Sequence, residues 1–156
     1  MGQSFVYEKF RKVIHLKHGG VGAGKSYDDA LPIASGDLMT IEAGMVIEKV
    51  YAVVDVAVTG STDIDVGDDD DSDGFIDGSL SLTLGTPGMY SWNAKVAGAY
   101  MRVQTAGATD ALDIYVVPNA KYYSAAGKEV KAAVTGASTA GQVRVIVEGM
   151  KLKPAS

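Results

Sequence analysis

From Ile41 onward the chain repeats one pattern. Apolar side chains stand at every second position in short runs, and glycine, proline or asparagine closes most of them. Successive side chains on a strand point to opposite sides, so a period of two marks a strand with one buried face. Asp63-Ile64-Asp65-Val66 alternates strictly. So does Ser79-Leu80-Ser81-Leu82-Thr83-Leu84, which Gly85-Thr86-Pro87-Gly88 ends. Residues 45–58 lie between Gly44 and Gly60. Val46, Val50, Val54, Val56 and Val58 share one parity there, and Lys49, Tyr51 and Asp55 the other. This predicts one half-buried strand or two joined by a bend. Residues 97–103, 112–117, 128–135 and 142–152 complete the set, with turns at Pro118-Asn119 and 136–141. Six to eight strands with turn signals about every ten residues predict an all-β fold, an antiparallel β-sandwich or jelly roll.

The first 40 residues read differently. Residues 5–18 hold the strongest basic charge, and residues 19–40 are polar and glycine-rich with Pro32 in their midst. They are expected to form an extended N-terminal arm, or a peripheral hairpin with a long loop, ahead of a sandwich domain at 41–156. The total of 156 residues suits one core of ordinary size, which needs no covalent staple. The chain has no cysteine, which excludes a disulfide framework, a thiolate zinc site and a cysteine nucleophile. A net charge of −5 repels phosphate backbones and anionic lipid, so neither nucleic acid nor membrane is an expected partner. The longest apolar stretch, residues 50–58, is broken by Asp55 and is about half the length of a membrane span. Glu8, Lys9, Arg11, Lys12, His15 and Lys17 stand where a leader would be apolar, so the product is expected to stay where it is made.

Two motifs suggest chemistry. Gly19-Gly20-Val21-Gly22-Ala23-Gly24-Lys25-Ser26 matches the phosphate-binding pattern GxxxxGK[ST]. In that loop backbone N–H groups cradle phosphate, the lysine neutralises charge and the hydroxyl holds magnesium. The motif must open a helix, however, and Pro32 follows within six residues of Ser26. Asp28 and Asp29 add negative charge, and no alternating βα pattern follows. A plain glycine-rich loop is the expectation, with a P-loop nucleotide-binding protein as the alternative of another class. The second motif is acidic. Asp69-Asp70-Asp71-Ser72-Asp73-Gly74 begins like a calcium loop, with Asp69, Asp71 and Asp73 as candidate ligands. Leu80 stands at the twelfth position where that loop carries a bidentate glutamate, which excludes an EF-hand. The other reading is a solvated loop that its like charges keep extended. No cofactor is expected, calcium being the one candidate.

Nothing else assembles a reaction centre. His15 and His18 would face opposite sides of a strand, and no GxSxG pattern occurs. Tyr90, Trp92 and Tyr100 suit a packed sheet face or an interface. The chain is therefore not expected to be an enzyme.

The order of features after residue 40 resembles small structural proteins of tailed bacteriophages. It begins with Ile41-Glu42-Ala43-Gly44-Met45-Val46-Ile47, then residues 53–59. Ile64-Asp65-Val66-Gly67-Asp68 and Asp71-Ser72-Asp73-Gly74-Phe75-Ile76 follow, then Gly98-Ala99-Tyr100-Met101. Lys121-Tyr122-Tyr123-Ser124-Ala125-Ala126, residues 130–136 and residues 139–148 close it. The likeness covers residues 41–148 and leaves out the glycine-rich loop. It implies a β-sandwich virion component, most often a capsid decoration or cement protein on the outside of the head, made in the host cytoplasm. A tail or fibre component is the alternative. The implied partners are the major capsid protein and further copies of the chain, as a dimer or trimer. It carries over no catalytic residue. The basic side chains Lys9, Arg11, Lys12 and Lys17, set against an acidic body, are the candidate capsid contacts.

Overall fold

The computed structural model describes residues 5–17, 39–60, 63–77, 84–91, 100, 103–104, 114–115, 120–135 and 140–154. Among these residues ten strands follow in chain order: β1 (Phe5–Lys17), β2 (Met39–Thr40), β3 (Met45–Thr59), β4 (Asp63–Gly67), β5 (Gly88–Ser91), β6 (Val103–Gln104), β7 (Ile114–Tyr115), β8 (Lys121–Tyr123), β9 (Glu129–Thr135) and β10 (Ala140–Pro154). The protein is all-β, and each strand pairing is antiparallel. The larger sheet runs β1-β10-β3-β5, with β8 beside the start of β3. A second sheet runs β2-β9-β4, and β6 pairs with β7.

The two main sheets bury a common apolar cluster. Ile14 and Leu16 of β1, Val50, Ala52 and Val54 of β3, and Val143, Val145 and Val147 of β10 supply one side. Ile64 and Val66 of β4 with Val130 and Ala132 of β9 supply the other, and Phe75, Ile76 and Leu84 fill from the connections. This is the packing of a sandwich, in which alternate residues of facing sheets interdigitate.

Residues 5–17, expected within an N-terminal arm ahead of the sandwich, form a strand of the larger sheet. They pair with β10 residue for residue, from Phe5 with Pro154 to Lys17 with Gln142. Ile14 is fully buried. Charges at the outward positions Lys9, Arg11 and His15 hide the apolar alternation of Phe10, Ile14 and Leu16.

β3 spans the predicted strand but does not keep one parity. Met45 and Ile47 are buried, then Val50, Ala52 and Val54. The register explains the switch: Gly149 faces Ile47 while Glu148 faces Lys49, so Glu48 is an extra residue. One inserted residue turns all later side chains to the other face. Gly149 is required there, because a Cβ would overlap the Val46 carbonyl oxygen. A second irregularity at Asp55 leaves Val56 exposed, contrary to its sequence parity. β5 and β8 were not expected as strands, being too short to display a period. Of the predicted strand at 79–84 only Leu84 is described, and most of 97–103 and 112–117 lies outside the described residues.

Candidate functional site

The chain folds tightly on itself after β4. Phe75 and Ile76 both donate their N–H to the Val66 carbonyl, and Val66 donates back to Ile76. Inside this bracket the Asp71 carbonyl accepts the N–H of Asp68 at 2.9 Å and of Gly74 at 3.2 Å. A Cβ on Gly67 would overlap that same carbonyl oxygen, so only glycine fits. Tyr100 donates its N–H to the Gly74 carbonyl at 2.7 Å and lays its ring against the place where a Gly74 side chain would be.

Asp68 is the centre of this turn and is only 3% exposed. Its Oδ1 accepts the N–H of Asp70 at 2.9 Å and of Asp71 at 3.2 Å, and the Tyr100 hydroxyl at 2.8 Å. Its Oδ2 accepts the Tyr123 hydroxyl at 2.6 Å. Burial by itself pushes the carboxyl up. The donors from Tyr123, Asp70, Tyr100 and Asp71 outweigh it and hold the group below the ordinary aspartate value. Both tyrosine hydroxyls are pushed well up, first by burial and then by donation to the carboxylate. The Tyr100 ring meets Phe75 edge-on at 5.1 Å, and the Lys121 ammonium lies 3.8 Å from its centroid.

The exposed part of the acidic run is neutralised by the neighbouring strand. Asp70 pairs with Lys128, and Asp69 pairs with Lys131 while also accepting the Glu129 N–H at 3.0 Å. The run is thus a folded turn docked on β9, not a chain extended by its own repulsion. Of the calcium candidates, Asp69 spends both oxygens on β9, Asp71 contributes its backbone carbonyl to the turn, and Asp73 is half-buried. Among the described residues no three acidic or histidine side chains are grouped to hold a metal ion.

Chemically, this arrangement clamps. Three donors crowd Asp68 Oδ1 and a fourth holds Oδ2, so the carboxylate is fixed in place and its charge is spread over hydrogen bonds inside the fold. The tyrosines that hold it are un-ionised donors.

The candidate contact residues lie on β1, the outer strand of the larger sheet among the described residues. Lys9 and Arg11 are exposed, and the Arg11 guanidinium is 3.2 Å from Glu148, which also accepts the Tyr51 hydroxyl at 2.8 Å. With Phe10, Glu48 and Lys49 they line a depression of about 380 Å³ at the β3 bulge. Lys12 is half-buried, and Lys17 ends the strand. The structure thus separates the basic residues from the acidic turn, on different sheets. His15 is exposed opposite Arg144. His18, Trp92 and the loop at 19–26 lie outside the described residues. Sequence reasoning passed over Asp68 and Tyr123. An aspartate in a run of four looks like its neighbours, and the one distinguishing signal is its place directly after the strand-ending Val66-Gly67.

No family model matches the chain, and no curated protein matches it. A solved chain in the acidic stable capsid structure of Helicobacter pylori bacteriophage KHP30 aligns with it at a TM-score of 0.48 and 12% identity, over 99% of each chain. A likeness of that degree leaves fold and function to the chain's own residues.

Proposed function

We propose that this protein is a structural component of a tailed-phage virion, and that it acts as a decoration or cement protein on the outside of the head shell. The observation that carries this reading is the convergence on Asp68. The stretches bearing the phage resemblance include 64–68, 71–76, 98–101 and 121–126, far apart in the chain. Asp68, the turn through Gly74 and Phe75, Tyr100 and Tyr123 come from those four stretches and form one packed knot. Chance likeness among turn-and-strand patterns gives no reason for the matching pieces to meet in space.

The role suits the physics. A sandwich with its acidic turn locked by internal donors is a rigid slab, and rigid parts lose little freedom on docking. Its partners are the major capsid protein and further copies of itself, since several linked weak contacts bind a repeating shell far better than one. Lys9, Arg11, Lys12 and Lys17 on β1 are the proposed shell contacts, and the role requires no cofactor.

Immunogold labelling of purified particles of the encoding phage tests this. Label distributed over the head shell is the expected result. Label confined to the tail assigns the chain to a tail or fibre part, and virions without label remove the particle reading altogether.

A further inference from the structure

The larger sheet is apolar on both of its faces. Its inner face closes the core through Ile14, Val50, Ala52, Val145 and Val147. A sheet with one solvated face alternates apolar with polar, whereas a strand covered on both faces reads as a continuous apolar run. β3 reads Val50-Tyr51-Ala52-Val53-Val54, and β10 reads Val145-Ile146-Val147. The register gathers the intervening residues on the outer face. Val13, Ile146 and Tyr51 form one row across β1, β10 and β3. Met150, Val46 and Tyr122 form another across β10, β3 and β8. Ile146 is only 3% exposed, yet it stands apart from the core cluster. On the same face Tyr7, Val56, Met89 and Tyr122 are each 47–68% exposed. Val6 is the one other large apolar side chain so exposed among the described residues, and it too belongs to the larger sheet. Single exposed apolar residues are ordinary, but a contiguous group marks a contact surface.

The face also carries charge of one prevailing sign. Lys9, Arg11, Lys49 and Arg144 stand there against Asp55, Glu148 and the bulged Glu48. Cations thus exceed carboxylates on this face, although the chain as a whole carries −5. The acidic turn lies on the other sheet. Packed sheets are about 10 Å apart, beyond the screening length of about 8 Å at physiological salt, so each face presents its own sign.

We propose that the outer face of the larger sheet is the surface that docks on the head shell, and that its partner there is a patch of apolar side chains bordered by carboxylates. This rests on the decoration reading and deepens it. A second copy of the chain is a poorer fit on either side. Its own outer face would set one cation surplus against another. Its smaller sheet offers carboxylates, but the exposed large apolar side chains lie on the larger sheet. Lys9 and Arg11, two of the proposed shell contacts, fall within this face, so steering charge and apolar anchors share one surface.

Co-sedimentation of the full chain with heads of the encoding phage assembled without it tests the surface. The unaltered chain is expected to bind saturably. Met89→Glu and Tyr122→Glu, at opposite ends of the face, should each weaken binding about tenfold or more. Both positions are exposed, so the urea midpoints should stay where they are. Ser72→Glu adds the same charge on the exposed acidic turn and should bind as the unaltered chain does. If the unaltered chain binds and both face variants bind equally well, or Ser72→Glu loses as much as they do, the surface is wrong and the decoration reading stands. Heads that take up no unaltered chain remove that reading and this surface with it. Sedimentation velocity covers the remaining occupant: oligomers of the unaltered chain that Met89→Glu dissociates would assign the face to contacts between copies and overturn the proposal.

Discussion

Asp68 shows how one carboxylate organises ten residues of chain. Four donors reach it from its own turn and from two distant tyrosines, and the turn cannot open without stranding a buried charge. Tyr123→Phe removes one donor and leaves the ring in place. The expected cost is about 2 kcal/mol, the scale for a lost hydrogen bond to a buried charged group, read as a lower urea midpoint. The pH dependence has a definite sign. The folded carboxyl sits below the ordinary value of 3.8, so its contribution is complete above that value and is lost as pH falls through the folded one. Stability measured in urea between neutral and strongly acid pH should therefore fall at the acid end, and Asp68→Asn should flatten that fall. Glu8, Asp55 and Asp69 are also held low by Lys153, Arg144 and Lys131. These are exposed pairs that salt screens, so the comparison belongs at high ionic strength, where the buried Asp68 network persists.

Among the elements, β1 carries two roles on its two faces. Inward, Ile14 and Leu16 close the core against Val143 and Val145 of β10. Outward, Arg11 and His15 lie beside Glu148 and Arg144. The faces differ in what they contribute to stability. Ile14→Ala is expected to cost about 2–5 kcal/mol, because a fully buried side chain leaves a cavity. Arg144→Ala breaks a bidentate pair with Asp55, at 2.6 and 2.7 Å, yet both partners are about one-third exposed, and a loss far smaller than that of Ile14→Ala is expected. Denaturation of the two variants side by side checks the contrast. Removing β1 altogether would bare β10 and the core, so the shell-contact role of its cations is testable only by point substitution.

At the scale of the whole molecule, both main sheets draw on one apolar cluster among the described residues. The chain is therefore expected to unfold as a unit. Val50→Ala in the larger sheet and Val130→Ala in the smaller one should each lower the denaturation midpoint with the slope unchanged. A change in slope, or two separate transitions, would mean that the sheets part independently. The locked acidic turn and the closed core make a body that keeps its shape, which suits a role of adhesion at a repeating surface.

The pattern of side chains along the chain was enough to determine its class. Period two with turn residues at close spacing admits only strands, and β3, β4, β9 and β10 lie where that pattern places them. Short strands such as β5 and β8 left no trace, because three or four residues cannot display a period. Tertiary structure alone decided three matters. It chose the face of each half of β3, because a bulge at Glu48 reverses a parity that the sequence presents as continuous. It set β1 beside β10, since that pairing bridges more than 120 residues of chain and no local signal spans that distance. And it singled out Asp68 from its acidic neighbours: burial and donors belong to the space around a residue, and Tyr100 and Tyr123 enter that space only when the chain has folded.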